Sequence, residues 1–561
     1  MSSTYEYTPL ESDDAIRLLD LSPPSPGNPE ELHCRIRSTT LKDTAKTFEA
    51  LSYTWGRDGN VKTIKCNDNN ALLQISSNCY EALRCLRRQG EYRTLWVDAI
   101  CIHQANDSER SAQVKIMGDI FTKARETVVF LGESNPRVER LFWHMSSERL
   151  LLPNMQDYEP HGEAIDEIER LFKRPWFDRV WVIQEVVNAE SVVFTCGSHS
   201  AVFSEPQDCL HGHIGERKLL SPPAPISIWC ERFSVDPHDL EVIPVMHLFM
   251  LLSQTGLCES TDPRDRVLAL IPLLRAPPPE IKDLIDYHLS PDDLFWKLAV
   301  VLLQNGGLSL FWMIRYPRRD NDRGTPSWVP DWADNTDRSL VIPLIQEFLD
   351  SYAPNVGYRD FALSNNSSSA LPLLLTVKGR EYGYIQEVGP ILFTRKYDYT
   401  TRIAAVNALL DQLPYESREP NFGSYSESMI NAISGMVEDD MLNLLRGRPD
   451  TTSGVDHDVS SRIEIACFNS RLFMTESNKI GLCPREAQPG DLVCLIKGAP
   501  AACILRQKDN HQYTIITGDC VLQEMELAYT TSFLKRVCGS LRFVDCGTCN
   551  KLKFEGFPGS L

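Results

Sequence analysis

This 561-residue chain has no uninterrupted apolar run of the length a membrane span needs. Its richest stretches, Val242–Leu252 and Leu294–Leu303, are short and contain His247 and Lys297, whereas a spanning helix takes about 20 apolar residues. Met1 to Asp20 carries Glu6, Glu11, Asp13 and Asp14 and has no positive segment ahead of an apolar core. It does not read as a secretory signal. Excess positive charge is missing too: 57 Lys and Arg against 76 Asp and Glu leave a net charge of −19. Such a surface repels phosphate backbones and anionic lipid, which argues against nucleic acid as a partner. Also absent are G-x-G-x-x-G, a P-loop, H-E-x-x-H and G-x-S-x-G, so the common signatures of dinucleotide, triphosphate, zinc-protease and serine-hydrolase sites are not there.

What is present is the composition of a globular protein, 42% hydrophobic and 24% charged, in a chain long enough for several domains. The 17 cysteines are odd in number, so they cannot all pair within one molecule. With no export signal, the expectation is a cytoplasmic protein with reduced thiols and unglycosylated Asn106 and Asn366 sequons. Cys538, Cys546 and Cys549 include one C-x-x-C without a matching second pair, so no metal site is assigned. Cys101 and His103, two residues apart, form at best a weak thiolate–imidazole signal.

Patterning divides the chain into four stretches. Residues 1–46 form an N-terminal extension with a Pro/Ser/Gly turn at Ser22–Gly27. Residues 47–200 alternate strand and helix. The expected strands are Phe48–Tyr53, Leu95–Ile102, Thr127–Leu131 and Ser191–Cys196, and the expected helices are Ser77–Gln89, one capped by Asp107 and Ser108, Glu163–Phe172, and Pro175–Val187. That alternation implies an α/β domain with a parallel sheet covered on both faces. Residues 201–345 read as a mainly helical region ending in the aromatic–proline segment Pro326–Trp332, expected to plug one element against another. Residues 346–561 read as a β-rich module, expected to be a partial barrel, with strands Leu373–Gly379, Leu472–Thr475, Asp491–Ile496 and Tyr513–Ile516 and loops Leu413–Ser424 and Gly447–Ser460.

In an open parallel sheet, ligands bind beyond the carboxyl ends of the strands. Ser52–Gly56, Asp98–Gln104, Gly132–Glu133 and Cys196–Gly197 should reach that edge. Asp98 is the only charge in an eight-residue apolar run, either a carboxylate satisfied by backbone or arginine donors, or a substrate contact. On a continuous Trp176–Val187 helix, Trp176, Val180, Ile183 and Val187 would face the sheet, with Asp178, Trp181 and Glu185 opposite. Carboxylates among large aromatics fit an aromatic-lined cleft or a buried interdomain contact. Glu185 is thus a candidate acid/base or cation-stabilising residue.

Four blocks carry a family resemblance: Leu51–Gly56, Leu95–Gln104, Glu109-Arg110 with Gln113, and Arg174–Glu185. In this order they resemble the heterokaryon-incompatibility (HET) domain of filamentous fungi, over about Phe48 to Gly197. Thr261–Asp265, Pro326–Trp332 and Gly490–Val493 are similar to segments that follow this domain in many such proteins. His103 departs from the family, which usually has Asn there. The resemblance implies a role in non-self recognition after cell fusion and in programmed cell death, through protein partners or self-association. HET domains are remotely similar to Toll/interleukin-1 receptor-like (TIR) domains, which implies a flavodoxin-like parallel sheet. In plant-type TIR domains a Trp-containing helix start is followed by a glutamate that cleaves NAD, and Trp181 with Glu185 occupies the matching place in chain order. By that analogy Glu185 is the catalytic candidate. Ser52, Tyr53, Trp55, Gly56, Asp98 and Trp181 are the substrate-binding candidates, NAD is the candidate substrate rather than a bound cofactor, and a loop around Cys101–Ser108 gates the cleft. The alternative is a non-enzymatic, self-associating death-signalling module restrained by its C-terminal region.

Overall fold

The computed structural model describes residues 3–146, 167–203, 223–234, 244–314, 325–333, 361–364, 374–391, 470–522, 542–546 and 551–555, except 57, 58, 68, 169, 257, 275, 478, 500, 501, 510 and 511. The expected loops Leu413–Ser424 and Gly447–Ser460, the start of the expected Glu163–Phe172 helix, and Cys538 and Cys549 lie outside these residues. The chain forms two compact units, Met1–Ser290 and Pro291–Leu561. The division falls inside the 201–345 stretch that patterning reads as one helical region.

The first unit is built on a nine-stranded sheet. Its elements begin with β1 (Ala15–Leu21), β2 (His33–Thr40), β3 (Glu49–Tyr53), β4 (Val61–Cys66), β5 (Ala71–Ser76), α1 (Ser77–Leu86) and β6 (Arg93–Trp96). They continue with α2 (Asp98–Cys101), α3 (Asp107–Lys123), β7 (Thr127–Phe130), α4 (Pro136–Ser146), α5 (Trp181–Val187), β8 (Val192–Cys196) and β9 (His199–Phe203). The strand order is β5-β4-β2-β1-β6-β3-β7-β8-β9. The four strands expected from the sequence are neighbours at its centre and mutually parallel: β3 pairs with β6 and β7, and β7 with β8. The wholly parallel sheet is corrected to a mixed one. β1 runs antiparallel to β6 and to β2, and β9 antiparallel to β8. β9 follows β8 through a tight turn at Gly197 and needs no crossover helix, whereas β1 reaches β6 from the other end of the domain.

The central strands are apolar throughout because both faces are covered: all residues of β3 and β7 are buried. Helix α1 buries Cys79, Ala82, Leu83 and Leu86, the stripe its spacing predicts, and starts where the Ser76 side chain accepts the Cys79 N–H. Helix α3 is capped one residue earlier than expected, by Asn106, whose side chain accepts the Glu109 N–H at 3.1 Å.

Two local departures shape the functional edge. The expected Leu95–Ile102 strand stops at Trp96, and Asp98 opens the one-turn helix α2. The Ile100 and Cys101 N–H groups return to the Val97 carbonyl, and the Val97 N–H meets Cys101 Sγ at 3.3 Å. An apolar run cannot distinguish a strand from a buried turn of helix. The expected Pro175–Val187 helix is likewise broken, into a 3-10 turn at Pro175–Asp178 and α5. Between them Arg179 is extended, with φ −82° and ψ 137°. The break resets the phase, so Glu185 is buried rather than on an outward face.

Further helices of this unit are α6 (Ala224–Ser234), α7 (Pro244–Gln254), α8 (Asp265–Leu268) and α9 (Pro279–Lys282). The second unit opens with α10 (Pro291–Gly306) and a 3-10 turn at Gly307–Met313. Within it, Pro291–Phe311 is the one stretch among the described residues long and apolar enough to cross a membrane, and 61% of that window is buried inside the protein. Leu294, Phe295, Leu298, Ala299, Leu302 and Leu303 make it a core helix.

The β-rich part contains β10 (Phe361–Ser364), β11 (Leu374–Val377), β12 (Gly379–Ile391), β13 (Ser470–Thr475), β14 (Ile480–Pro484), β15 (Leu492–Ile496), β16 (Ala502–Asp509), β17 (Gln512–Leu522), β18 (Arg542–Cys546) and β19 (Lys551–Glu555). Pairing runs β17-β14-β13-β12-β15-β16, and β16 pairs back with β17. A closed antiparallel ring results, which removes strand edges. The Pro326–Trp332 segment does act as a plug: Trp328 and Trp332 are buried. The Trp332 indole N–H meets Met313 Sδ at 3.3 Å and its ring meets Phe295 edge-on at 5.5 Å. The 3-10 turn sits so close to β17 that a Cβ on Gly518 would lie 2.3 Å from the Phe311 carbonyl oxygen. Gly518→Ala is therefore expected to cost this unit about 1–3 kcal/mol or more, measured as a lowered urea midpoint.

Candidate functional site

The carboxyl ends of β3 and β6 point the same way because the strands are parallel neighbours, with Ala50 opposite Trp96. That register brings the loop after Tyr53 beside the turn that starts at Asp98. Trp55 is 40% exposed, and its indole N–H donates to Asp98 Oδ2 at 2.8 Å. The Ala99 backbone N–H donates to Asp98 Oδ1 at 2.7 Å. Gly56, at φ 88°, turns the chain away directly after Trp55; only glycine takes that backbone readily. Burial pushes the Asp98 carboxyl above the usual range, against the opposing pull of the Arg179 guanidinium and the Trp55 donor.

Beneath this rim, helix α5 carries Glu185 against the central strands. The Thr127 hydroxyl donates to the Glu185 carbonyl at 3.3 Å, fixing the helix to β7. The Trp176 indole N–H donates to Ser52 Oγ at 2.7 Å. Ser52 lies beside the Glu185 carboxyl and slightly opposes the rise in its pKa. Glu185 Oε2 has no hydrogen-bond partner, and the residue is 4% exposed. Burial pushes its pKa up to about 7; the Arg179 guanidinium opposes the rise, and Asp98 adds to it.

Arg179 is the hub. Its guanidinium donates to the Tyr53 carbonyl and acts electrostatically on both Asp98 and Glu185. Two carboxyls and one arginine make a cluster whose net charge changes with a single proton on Glu185. Of the sequence candidates, Ser52, Tyr53, Trp55, Asp98 and Glu185 come together, with Gly56 at the rim. The Tyr53 hydroxyl lies inward against Asp98 and the Cys79 thiol. Trp181 is partly buried, packs against the core of the central strands and lies beside Asp265.

The other edge segments are stitched shut. Arg174 donates to the Leu131 and Glu133 carbonyls at 2.7 and 3.0 Å and lies 3.3 Å from Cys196 Sγ. Cys101 and His103 form no pair. Burial pushes the thiol up to about 12, and His103 stacks on Tyr7 at 4.7 Å. Sequence reasoning missed Arg179 and the Trp176–Ser52 contact. The available signal was electrostatic: two carboxylates in apolar surroundings call for a cation, and Arg179 lies in the same block as Glu185.

Residues 48–185 match the Heterokaryon incompatibility protein (HET) family. The chain carries a HET domain. The central parallel strands β3, β6 and β7, the Trp55–Asp98 rim and Glu185 all fall within the matched span. A Neurospora crassa protein, "Heterokaryon incompatibility protein 6, OR allele", is 26% identical over 408 residues. The alignment covers 56% of this chain and 57% of that protein, so the HET-domain chain spans little more than half of its relative's length. No solved structure matches. Among the described residues no group of three or more His, Cys, Asp or Glu is placed to hold a metal ion.

Proposed function

We propose that this is a heterokaryon-incompatibility-type signalling protein, linking non-self recognition to programmed cell death. Its HET domain acts there through the Glu185 carboxyl on a nucleotide of the NAD class. One observation carries the chemical part: Glu185, buried against the central strands beneath the Trp55–Asp98 rim, keeps a carboxyl oxygen without a hydrogen-bond partner, and burial pushes its pKa up to about 7 against the pull of the Arg179 guanidinium. The central strands β6-β3-β7-β8 run second, first, third, fourth in the order of the four parallel strands along the chain. That order is consistent with a flavodoxin- or TIR-like sheet, whose ligands sit where the order reverses.

In the proposed reaction the nicotinamide–ribose bond breaks and nicotinamide leaves with the bonding pair. Ionised Glu185 stabilises the ribosyl oxocarbenium ion, and water adds to the ribose carbon while releasing a proton. Asp98 and Trp55 form the rim that admits the nucleotide. The protein works in the cytoplasm through protein partners or self-association of the HET domain.

The test follows nicotinamide release from NAD by the full-length chain, beside Glu185→Ala and Glu185→Gln. Loss of release by a factor of about 100 or more in both variants is expected for a residue acting in the transition state. Release that survives both substitutions removes Glu185 from the chemistry. A second reading rests on burial: at 4% exposure, Glu185 serves as an internal charge cluster in a non-enzymatic module that signals by self-association. Wild-type protein that is assembled by light scattering yet releases no nicotinamide favours that reading.

A further inference from the structure

The segment ahead of β1 lies outside the matched span 48–185, yet it reaches the rim of the candidate site. Ser3 to Thr8 form an arm on the outside of the first unit, with Ser3, Thr4, Glu6 and Thr8 exposed. The arm begins on β5, the strand at one end of the sheet. There the Leu72 N–H donates to the Ser3 carbonyl at 2.8 Å, and the Tyr5 N–H donates to the Leu72 carbonyl at 3.0 Å. Tyr5 then meets Tyr7 edge-on at 5.1 Å. The Tyr7 ring stacks on His103 at 4.7 Å with the planes 9° apart, and its hydroxyl donates to the Ile100 carbonyl at 3.1 Å.

Arg17 of β1 clamps the same turn. It is 1% exposed. Its guanidinium donates to the Thr8 carbonyl at 2.6 Å, to the Cys101 carbonyl at 2.9 Å, and to the two Glu109 oxygens at 2.6 and 3.1 Å. Glu109 Oε1 also accepts the His103 N–H at 2.8 Å. One buried ion pair thus gathers the arm, the 98–104 turn and α3. Bidentate pairs of this kind fix geometry as well as adding energy. The turn closes on itself where Gln104 Nε2 donates to the Asp98 carbonyl at 2.9 Å. At its head, the Asp98 carboxyl holds the Trp55 indole N–H at 2.8 Å.

We propose that residues 3–8 are a latch on the rim of the candidate site, and that Tyr7 is a positioning residue. Seated on His103 and the Ile100 carbonyl, it holds the 98–104 turn so that Asp98 keeps the Trp55 indole in place. The Arg17–Glu109 pair is buried, whereas Tyr7 belongs to an exposed arm held on β5 through the backbone of Leu72. Segments with few buried contacts and exposed backbone bonds open at the lowest cost, so the arm is the part of this assembly that lets go first. When it leaves, the turn loses the ring on His103 and the hydroxyl on Ile100, and Asp98 is no longer held from that side. The inference rests on the reading of the Trp55–Asp98 edge as the functional rim, but it does not need NAD as the substrate.

The experiment uses the full-length protein labelled with fluorotryptophan, in which the Trp55 resonance is the fluorine signal that Trp55→Phe abolishes. Asp98→Ala removes the acceptor of the indole N–H and marks where the signal of a released ring lies. Tyr7→Ala is expected to move the Trp55 signal toward that position. It is also expected to speed amide exchange from Ile100 to His103 by about tenfold or more, with exchange in α1 and β7 unchanged. A Trp55 signal that keeps its wild-type position in folded Tyr7→Ala overturns the latch, and so does faster exchange spread evenly over the unit. If Tyr7→Ala fails to fold, Tyr7→Phe, which keeps the stack and loses only the hydroxyl, decides by the same signal. A moved signal in a protein that releases no nicotinamide upholds the latch and removes only the hydrolase reading. Nicotinamide release with an unmoved signal does the reverse.

Discussion

Arg179→Met is expected to lower the stability of the first unit by roughly 3 kcal/mol at about pH 8 and by clearly less at about pH 5. Methionine keeps the stem and its packing but removes the positive charge that acts on both Asp98 and Glu185. At high pH the variant must either bury two uncompensated carboxylates or keep protons on them at a cost. At low pH Glu185 is already neutral, so only Asp98 and the Tyr53 carbonyl lose their partner. Adding Glu185→Gln to Arg179→Met should recover most of the high-pH loss, because it removes one of the two like charges. Urea unfolding at both pH values, followed by tryptophan fluorescence, measures this. An equal loss at both pH values would show that Arg179 acts through its bond to the Tyr53 carbonyl and not through charge.

The central strands were legible because each is a continuous apolar run bounded by turn residues, as in Phe48–Tyr53 and Thr127–Leu131. Their mutual parallel pairing follows from the helices between them. The antiparallel flanks were not legible, because β1 and β2 lie in a stretch whose Pro/Ser/Gly turn reads as an extension. Periodicity gave no warning of the break at Arg179, since the spacing of Trp176, Val180 and Ile183 suits an unbroken helix. What breaks it is a backbone pairing with Glu259, eighty residues later. Asp98 and Glu185 stood out in the sequence as lone carboxylates among apolar neighbours. Their meeting through Arg179 did not, because it depends on that same long-range break. Trp181 reads as part of an aromatic-lined cleft, whereas in the structure it packs against the core beside Asp265, a residue eighty-four positions later.

The protonation of Glu185 gives the second large effect, and its sign is fixed by the direction of the shift. An unfolded glutamate loses its proton near 4.5, while folded Glu185 keeps it to about 7. Between those values the folded state binds more protons than the unfolded state, so stability must fall as pH rises. Below about 4.5 the group is neutral in both states and contributes nothing; above about 7 the full penalty is in place. A rise from 4.5 to about 7 corresponds to about 3 kcal/mol, at about 1.4 kcal/mol per tenfold change in proton affinity. Asp265, raised to about 6 by burial, adds in the same direction over a lower window. The wild-type protein should therefore lose stability between about pH 5 and pH 8, and Glu185→Gln, neutral throughout, should lose several-fold less. At about pH 8 the Gln variant should be the more stable of the two while releasing no nicotinamide. That pairing, more stable and inactive, marks a carboxyl kept for chemistry at the expense of stability. Denaturant titrations at a series of pH values measure it, and parallel slopes for the two proteins would place the Glu185 proton outside the neutral range.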